Sequence, residues 1–248
     1  MTETYNFFAP TKVLFGPGKL AELGGQALPG KKALVVTTGG KSVKANGYLA
    51  RVEEQLDRAG VGHVLFDRIE PNPLRDTVNA GGWMAREQGC DFVLALGGGS
   101  VMDGSKGICV VAANPGHDEA GNEVAGDIWD YVMGGTARGL PIPNDPLPLV
   151  CVTTTAGTGS EVDAGGVLSC KERDEKLRLG SPQAVPAPLR GGPRAHAHGS
   201  GPSHGVPGLR RAVPQRGVLH REQPHAHGRH DLPRGRPQRG RLACRVRE

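Results

Sequence analysis

Two stretches of this 248-residue chain carry small residues in patterns that suit ligand chemistry. The first, LALGGGSVMDGSK at 94–106, runs from an apolar stretch through three glycines and a serine into a helical pattern. Gly97, Gly98 and Gly99 would let a ligand approach the backbone N–H groups closely. The helix opening near Ser100 would present unpaired donors and the positive end of its dipole, which suits a diphosphate. Ser100 and Asp103 have the spacing of a capping box with Asp in place of Glu. A plain capped strand–helix turn would look the same, and the stretch is not the GxGxxG fingerprint. The second stretch, VTTTAGTGSEVD at 152–163, places hydroxyls and glycines after another apolar run. Hydroxyls there can donate to phosphate or ribose. Alone it also reads as a Thr-rich strand end.

The elements needed to position these turns are visible. KALVVTT (32–38), HVLFDRI (63–69), DFVLALG (91–97) and LPLVCVTT (147–154) are short apolar runs bounded by turn residues. Runs of this kind suit parallel strands buried on both faces. Helical patterns lie between them at 46–60, 75–89 and 100–113, the second weakened by Gly81 and Gly82. Strands alternating with helices predict a doubly wound α/β layer with a parallel sheet. TKVLFG (11–16) adds a flanking strand, and the polar segment 114–146 holds a short helix around IWDYV. Both small-residue turns then fall at the C-terminal edge of one sheet, where open α/β sheets bind ligands.

Composition divides the chain near Pro182. Residues 1–182 carry 17 Lys+Arg against 22 Asp+Glu, whereas 183–248 carry 13 Arg, no Lys and 3 acids. The second part has no Phe, Trp or Tyr, holds seven of the nine His, and shows no regular apolar period. It cannot bury enough surface to offset its chain entropy and is expected to be a disordered basic tail. The five Cys form no metal or disulfide spacing, and Cys109 and Cys151 read as small core residues. MTETYNFFAP is not a signal sequence, and no apolar run is long enough for a membrane span. A cytoplasmic protein with no membrane partner is expected.

The stretches FFAPTKVLFGPG (7–18), EPNP (70–73), GGGSVMDGSK (97–106), TTAGTGSE (154–161) and KLRLGSP (176–182) carry a resemblance. Together they make the chain similar to the iron-containing, metal-dependent (group III) alcohol dehydrogenases across residues 1–182. AGTGSE separates that family from the dehydroquinate synthases, which share the GGGS turn and the N-terminal fold. The resemblance implies an NAD(P)-binding α/β domain at 1–182, followed by an all-helical domain holding a divalent metal, Fe or Zn. It implies reversible hydride transfer between a primary alcohol or aldehyde and NAD or NADP, in proteins that are often homo-oligomeric. By the match, Gly97, Gly98, Gly99 and Ser100 would cradle the diphosphate and Asp103 would support that turn. Asn72 would lie near phosphate or ribose, Thr154, Thr155 and Thr158 would line the cleft, and Lys176 would join them. Many NAD-using members carry an Asp after the first strand of this domain, where VVTTGGKS (35–42) offers Thr38 and nearby Lys41. With no carboxylate to repel a 2′-phosphate, and a Lys to attract one, NADPH is expected to be tolerated.

The family continues after GSP with L-F-P, then V-V-D-P-E-L-M, then a helix carrying G-F-D-A-L-x-H, whose Asp and His ligate the metal. None of this is in the written chain. Back-translated and read one base later, however, residues 183–198 become R-L-F-P-R-L-S-V-V-D-P-E-L-M-L. Likewise 203–215 become A-T-A-F-Q-G-F-D-A-L-F-H-S and 222–230 become S-N-R-M-P-M-A-D-M. One extra C in a C-run at the Pro182 codon explains all three segments. The helical metal domain is therefore expected to be missing, no residue of this chain is expected to ligate metal or act on substrate, and the chain is expected to be inactive. The competing readings are a non-catalytic nucleotide-binding remnant, or a tail that attracts nucleic acid by charge or metal through His196, His198, His225, His227 and His230. With neither aromatic platform nor defined spacing, no specific nucleic-acid partner is expected.

Overall fold

The computed structural model describes residues 11–180 and 194–198. All lie in the first of two compact units, Met1–Arg210. Residues 199–248, with His225, His227 and His230, fall outside the described residues.

The strands are β1 (Thr11–Leu14), β2 (Lys32–Thr38), β3 (Gly62–Ile69), β4 (Phe92–Gly97), β5 (Gly116–His117), β6 (Glu123–Val124), β7 (Leu149–Thr153), β8 (Gly165–Cys170), β9 (Glu175–Gly180) and β10 (Arg194–His198). The helices are α1 (Ser42–Ala45), α2 (Tyr48–Arg58), α3 (Arg75–Glu87) and α4 (Gly99–Ala113). Six strands form one sheet in the order β1-β10-β7-β4-β2-β3, with every pairing parallel. The four expected core strands fall within a residue or two of their predicted limits.

Alternation along β2 shows the double winding. Leu34 and Val36 pack with α3 and α4 side chains such as Val78, Ile108 and Val111. Ala33 and Val35 pack on the other face with Leu20, Leu23, Val52 and Leu56. Every residue of β4 is buried, as a central strand covered on both faces requires.

Three features depart from expectation. α4 starts at Gly99 with Gly98 as its N-cap and no side-chain cap, so Ser100 and Asp103 do not form a capping box. Their side chains are used elsewhere: the Ser100 hydroxyl lies 3.4 Å from the Asn72 N–H, and the Asp103 carboxylate accepts from Ser160 and Val167. The β8–β9 hairpin was not foreseen, and its charged turn at Lys171–Asp174 carries Asp174 at φ 49. Lastly, Arg194–His198 lies in the segment expected to lack regular structure, yet it pairs with both β1 and β7. Main-chain hydrogen bonds along an open strand edge are blind to sequence and admit such a segment.

The 114–146 connection contains the expected helical turn, a 3-10 turn at Ile128–Asp130. Arg75 fastens it to α3 by an ion pair with Asp127, Nε to Oδ1 being 2.9 Å, and Asn79 adds a 3.1 Å bond to the same oxygen. No described helix is long and apolar enough to cross a membrane.

Candidate nucleotide-binding site

β4 and β7 are neighbours, with Gly97 opposite Thr153, so the two small-residue turns leave the sheet side by side. The Thr154 N–H donates to the Gly97 carbonyl at 2.9 Å, and the Thr153 hydroxyl closes its own turn on the Thr155 carbonyl at 2.9 Å. None of Gly97, Gly98 and Gly99 has a positive φ. They are needed for proximity instead. A Cβ on Gly97 would lie 2.5 Å from Val101 Cγ2, one on Gly98 3.1 Å from Thr155 Oγ1, and one on Gly99 3.1 Å from Thr158 Cγ2.

At the mouth of α4 the N–H groups of Val101 and Met102 turn back to the Gly98 carbonyl. Those of Gly99 and Ser100 precede any intrahelical acceptor and are the donors a helix start offers to an anion. They border a cavity of about 270 Å³ lined by Thr38, Pro71, Gly98, Gly99, Ser100, Val101 and Thr155. Asn72 stands at its rim in the left-handed region, φ 59. Its N–H is 3.4 Å from the Ser100 hydroxyl, and its Oδ1 accepts from Lys176 Nζ at 2.7 Å. The otherwise distant EPNP segment, glycine turn and β9 therefore meet at one place. Thr154, Thr155 and Thr158 are exposed on the second turn.

Of the expected site residues, Thr38, Gly98, Gly99, Ser100 and Thr155 line the cavity; Asn72, Gly97, Asp103, Thr154, Thr158 and Lys176 do not, and neither does Lys41. Lys41 is exposed at the start of α1, and its carbonyl accepts from Ala45. Thr38 does line the cavity. The nearby acid, Asp67, is engaged by Lys44 at 2.6 Å, and that hydrogen bond holds its carboxyl below the usual range.

The residues the sequence reading missed join the two turns from beneath. Lys106 on α4 is 2% exposed. Its ammonium donates to the Ser160 hydroxyl at 3.2 Å, to Asp163 and to the Gly165 carbonyl. Ser160 in turn donates to Asp103 Oδ1, while Asp103 Oδ2 accepts from the Val167 N–H at 3.0 Å. Asp103 thus braces the second turn rather than the glycine turn it belongs to. The available signal was Lys106 itself, one turn after Asp103 and just before the apolar run GICVVAA.

Cys109 and Cys151 are buried without a disulfide. Burial pushes the Cys151 thiol up to about 12 and raises Cys109 likewise, so neither offers a thiolate near neutral pH. Among the described residues, no three His, Cys, Asp or Glu converge to hold a metal ion.

A parallel sheet covered by helices on both faces, with two adjacent small-residue turns at its C-terminal edge, defines an α/β domain of the doubly wound class. The family model of iron-containing alcohol dehydrogenases matches residues 10–188, and the chain belongs to that family. It is 38% identical to a probable NADH-dependent butanol dehydrogenase of Bacillus subtilis over 184 residues, 74% of this chain and 44% of the relative. It is 37% identical to an NADPH-dependent aldehyde reductase of Escherichia coli over 182 residues, 73% of this chain and 43% of the relative. Among solved structures, an archaeal halo-thermophilic alcohol dehydrogenase from a Red Sea brine pool aligns with TM-score 0.69 at 33% identity, covering 80% of this chain and 47% of that one. The chain thus spans less than half the length of these relatives.

Proposed function

We propose that residues 11–180 are the NAD(P)-binding half of a metal-dependent alcohol dehydrogenase or aldehyde reductase, and that the 248-residue chain binds the dinucleotide without turning it over. The observation that carries the reading is the meeting of Asn72, Ser100 and Lys176 at the rim of a cavity floored by Gly98 and Gly99. The missing Cβ atoms leave room at the helix mouth, so the residues present fit a diphosphate.

In this reading the N–H groups of Gly99 and Ser100 hold the diphosphate, with Lys176 supplying positive charge through its place beside Asn72. Sheet order puts β2 on one side of β4 and β7 on the other. The adenosine ribose then lies toward Thr38, and the nicotinamide half toward Thr154, Thr155 and Thr158. When bound, the nicotinamide ring supplies the hydride acceptor or donor. With Thr38 on the cavity wall, Asp67 already paired and no other acid there, a 2′-phosphate meets no repulsion, so NADPH binds at least as readily as NADH.

Hydride transfer at a primary alcohol or aldehyde, in company with a divalent cation such as Fe²⁺ or Zn²⁺, is the reaction we assign to the family's full-length form. The described residues offer no cluster of three His, Cys, Asp or Glu to hold that ion. The one-base-shifted readings of 183–198, 203–215 and 222–230 support our reading that the metal-helix sequence lies in another frame of the same gene.

Sequencing the gene across codons 180–185 tests the frame assignment. An extra C in the Pro182 run is expected, and a read without it overturns the assignment. Purified chain with Fe²⁺ or Zn²⁺, NADPH and a primary aldehyde is expected to oxidise no NADPH; sustained turnover contradicts the proposal.

A further inference from the structure

The Thr154–Asp163 turn has reason to be mobile. Gly157 and Gly159 sit at φ 103 and 71 with nothing near the position of a Cβ, and most of the turn is exposed. Glycines free of packing leave backbone entropy that a ligand must remove on binding. Beneath this loop lies an unusual expense: an ammonium that is 2% exposed. A buried charge is tolerated only when paired and fully hydrogen-bonded, and an apolar side chain of similar volume is often as stable. Lys106 has three N–H donors and all three are used, on Ser160, Asp163 and Gly165. Every acceptor belongs to the second turn or its exit into β8. The donor sits on α4, seven residues after the glycine that opens it.

Because Lys106 takes the Ser160 oxygen as acceptor, the Ser160 proton is left to point at Asp103, which it does. Asp103 is also on α4, so the loop is fastened to the helix at two places by one chain of bonds, Lys106 to Ser160 to Asp103. The cluster also reaches the loop backbone: the Ser160 N–H donates to the Thr158 hydroxyl at 3.3 Å, and Thr158 is the residue facing Gly99.

We infer that Lys106, through Ser160 and Asp103, is the positioning device that preorganises the Thr154–Asp163 wall against the glycine turn, so that the site favours a dinucleotide over ADP. This rests on the nucleotide-binding reading above. ADP is held by the glycine turn and the Thr38 side. ADP meets the second turn only at Thr155 on the cavity wall, whereas the half beyond the diphosphate rests on that turn throughout and depends more on its being already in place. Loosening the loop therefore weakens NADPH selectively, whereas a purely structural lysine would weaken both ligands in proportion to unfolded protein.

The test uses the full 248-residue chain as wild type, Lys106→Met, Ser160→Ala and Asp163→Asn, titrated calorimetrically with ADP and with NADPH. Thermal melts confirm folding, and amide exchange is followed without ligand. Expected for Ser160→Ala and Lys106→Met is a loss of about tenfold or more in NADPH affinity with ADP within about twofold, together with faster exchange confined to 154–165. Asp163, half exposed, gives a smaller loss in the same direction. If Lys106→Met fails to fold, Ser160→Ala decides alone. Equal losses for ADP and NADPH, or unchanged NADPH affinity in a folded Ser160→Ala protein, overturn the inference and leave the nucleotide-binding reading standing. A folded wild type that binds neither ligand overturns both.

Discussion

Lys176 Nζ lies 2.7 Å from Asn72 Oδ1 across 104 residues of sequence, and that bond ties the β8–β9 hairpin to the segment beside the glycine-turn cavity. Asn72 tolerates its φ of 59 because Asn is one of the few residues at ease in the left-handed region. Asn72→Gly keeps the backbone and removes the acceptor. It is expected to melt close to wild type while losing severalfold in NADPH affinity. Asn72→Val forces a β-branched residue into the same conformation and is expected to lose about 1–3 kcal/mol of stability as well. Thermal melts paired with fluorescence titration separate the two effects.

Gly82 gives a prediction opposite to helix propensity. Alanine in place of a mid-helix glycine ordinarily gains up to about 1 kcal/mol. Here a Cβ would lie 2.5 Å from Val111 Cβ, and one on neighbouring Gly81 would lie 2.6 Å from Ile108 Cδ1. Gly82→Ala must push α3 away from α4 and is expected to destabilise by about 1–3 kcal/mol. Urea unfolding measures it, and a stabilised variant would show that the two helices are not in close contact.

Asp127 sets an acid limit. Burial opposes its ionisation, but the Arg75 ion pair, the Trp129 N–H and Asn79 outweigh it and lower the pKa to about 2. A carboxyl depressed on folding contributes stability that is complete above its unfolded pKa, near 3.8, and is lost as pH falls from there through about 2. After allowance for solvent screening the pair is worth about 1 kcal/mol. Asp127→Asn is expected to lose that amount at neutral pH and to flatten the decline of melting temperature below pH 4, which a pair of pH-dependent melting curves would show.

Cofactor choice should turn on Thr38 more than on Lys41. Thr38 is on the cavity wall, whereas Lys41 is exposed and does not line it. Thr38→Asp is expected to reduce NADPH affinity by about tenfold or more while NADH changes little. Lys41→Ala is expected to change NADPH by only about two- to threefold, as a distant solvated charge would. A reversed order in competition titrations would place the 2′-phosphate nearer α1 than Thr38.

The core strands and the three long helices were legible because continuous apolar runs such as FVLALG and the spacing of Leu49, Val52 and Leu56 announce themselves locally. The two turns were legible for the same reason, and sheet neighbourhood followed from their strands. The β8–β9 hairpin was not, since its outward charges hide a short alternation. Gly81 and Gly82 read as weak points because the sequence cannot show the helix packed against them. Lys106 escaped because its partners lie 54 to 59 residues away, and a charged side chain in a helix ordinarily reads as surface. Asn72 and Lys176 were marked by family resemblance, yet nothing in the sequence showed that they bond to each other.

The most direct test is calorimetric titration of the folded 248-residue chain with NADPH, alongside Gly99→Val. Saturable one-site binding by the wild type is expected, with loss in Gly99→Val, whose side chain would fill the space between Gly99 and Thr158. A folded wild-type protein that shows no NADPH binding, or a folded Gly99→Val protein that binds equally well, would contradict the assignment of this cleft.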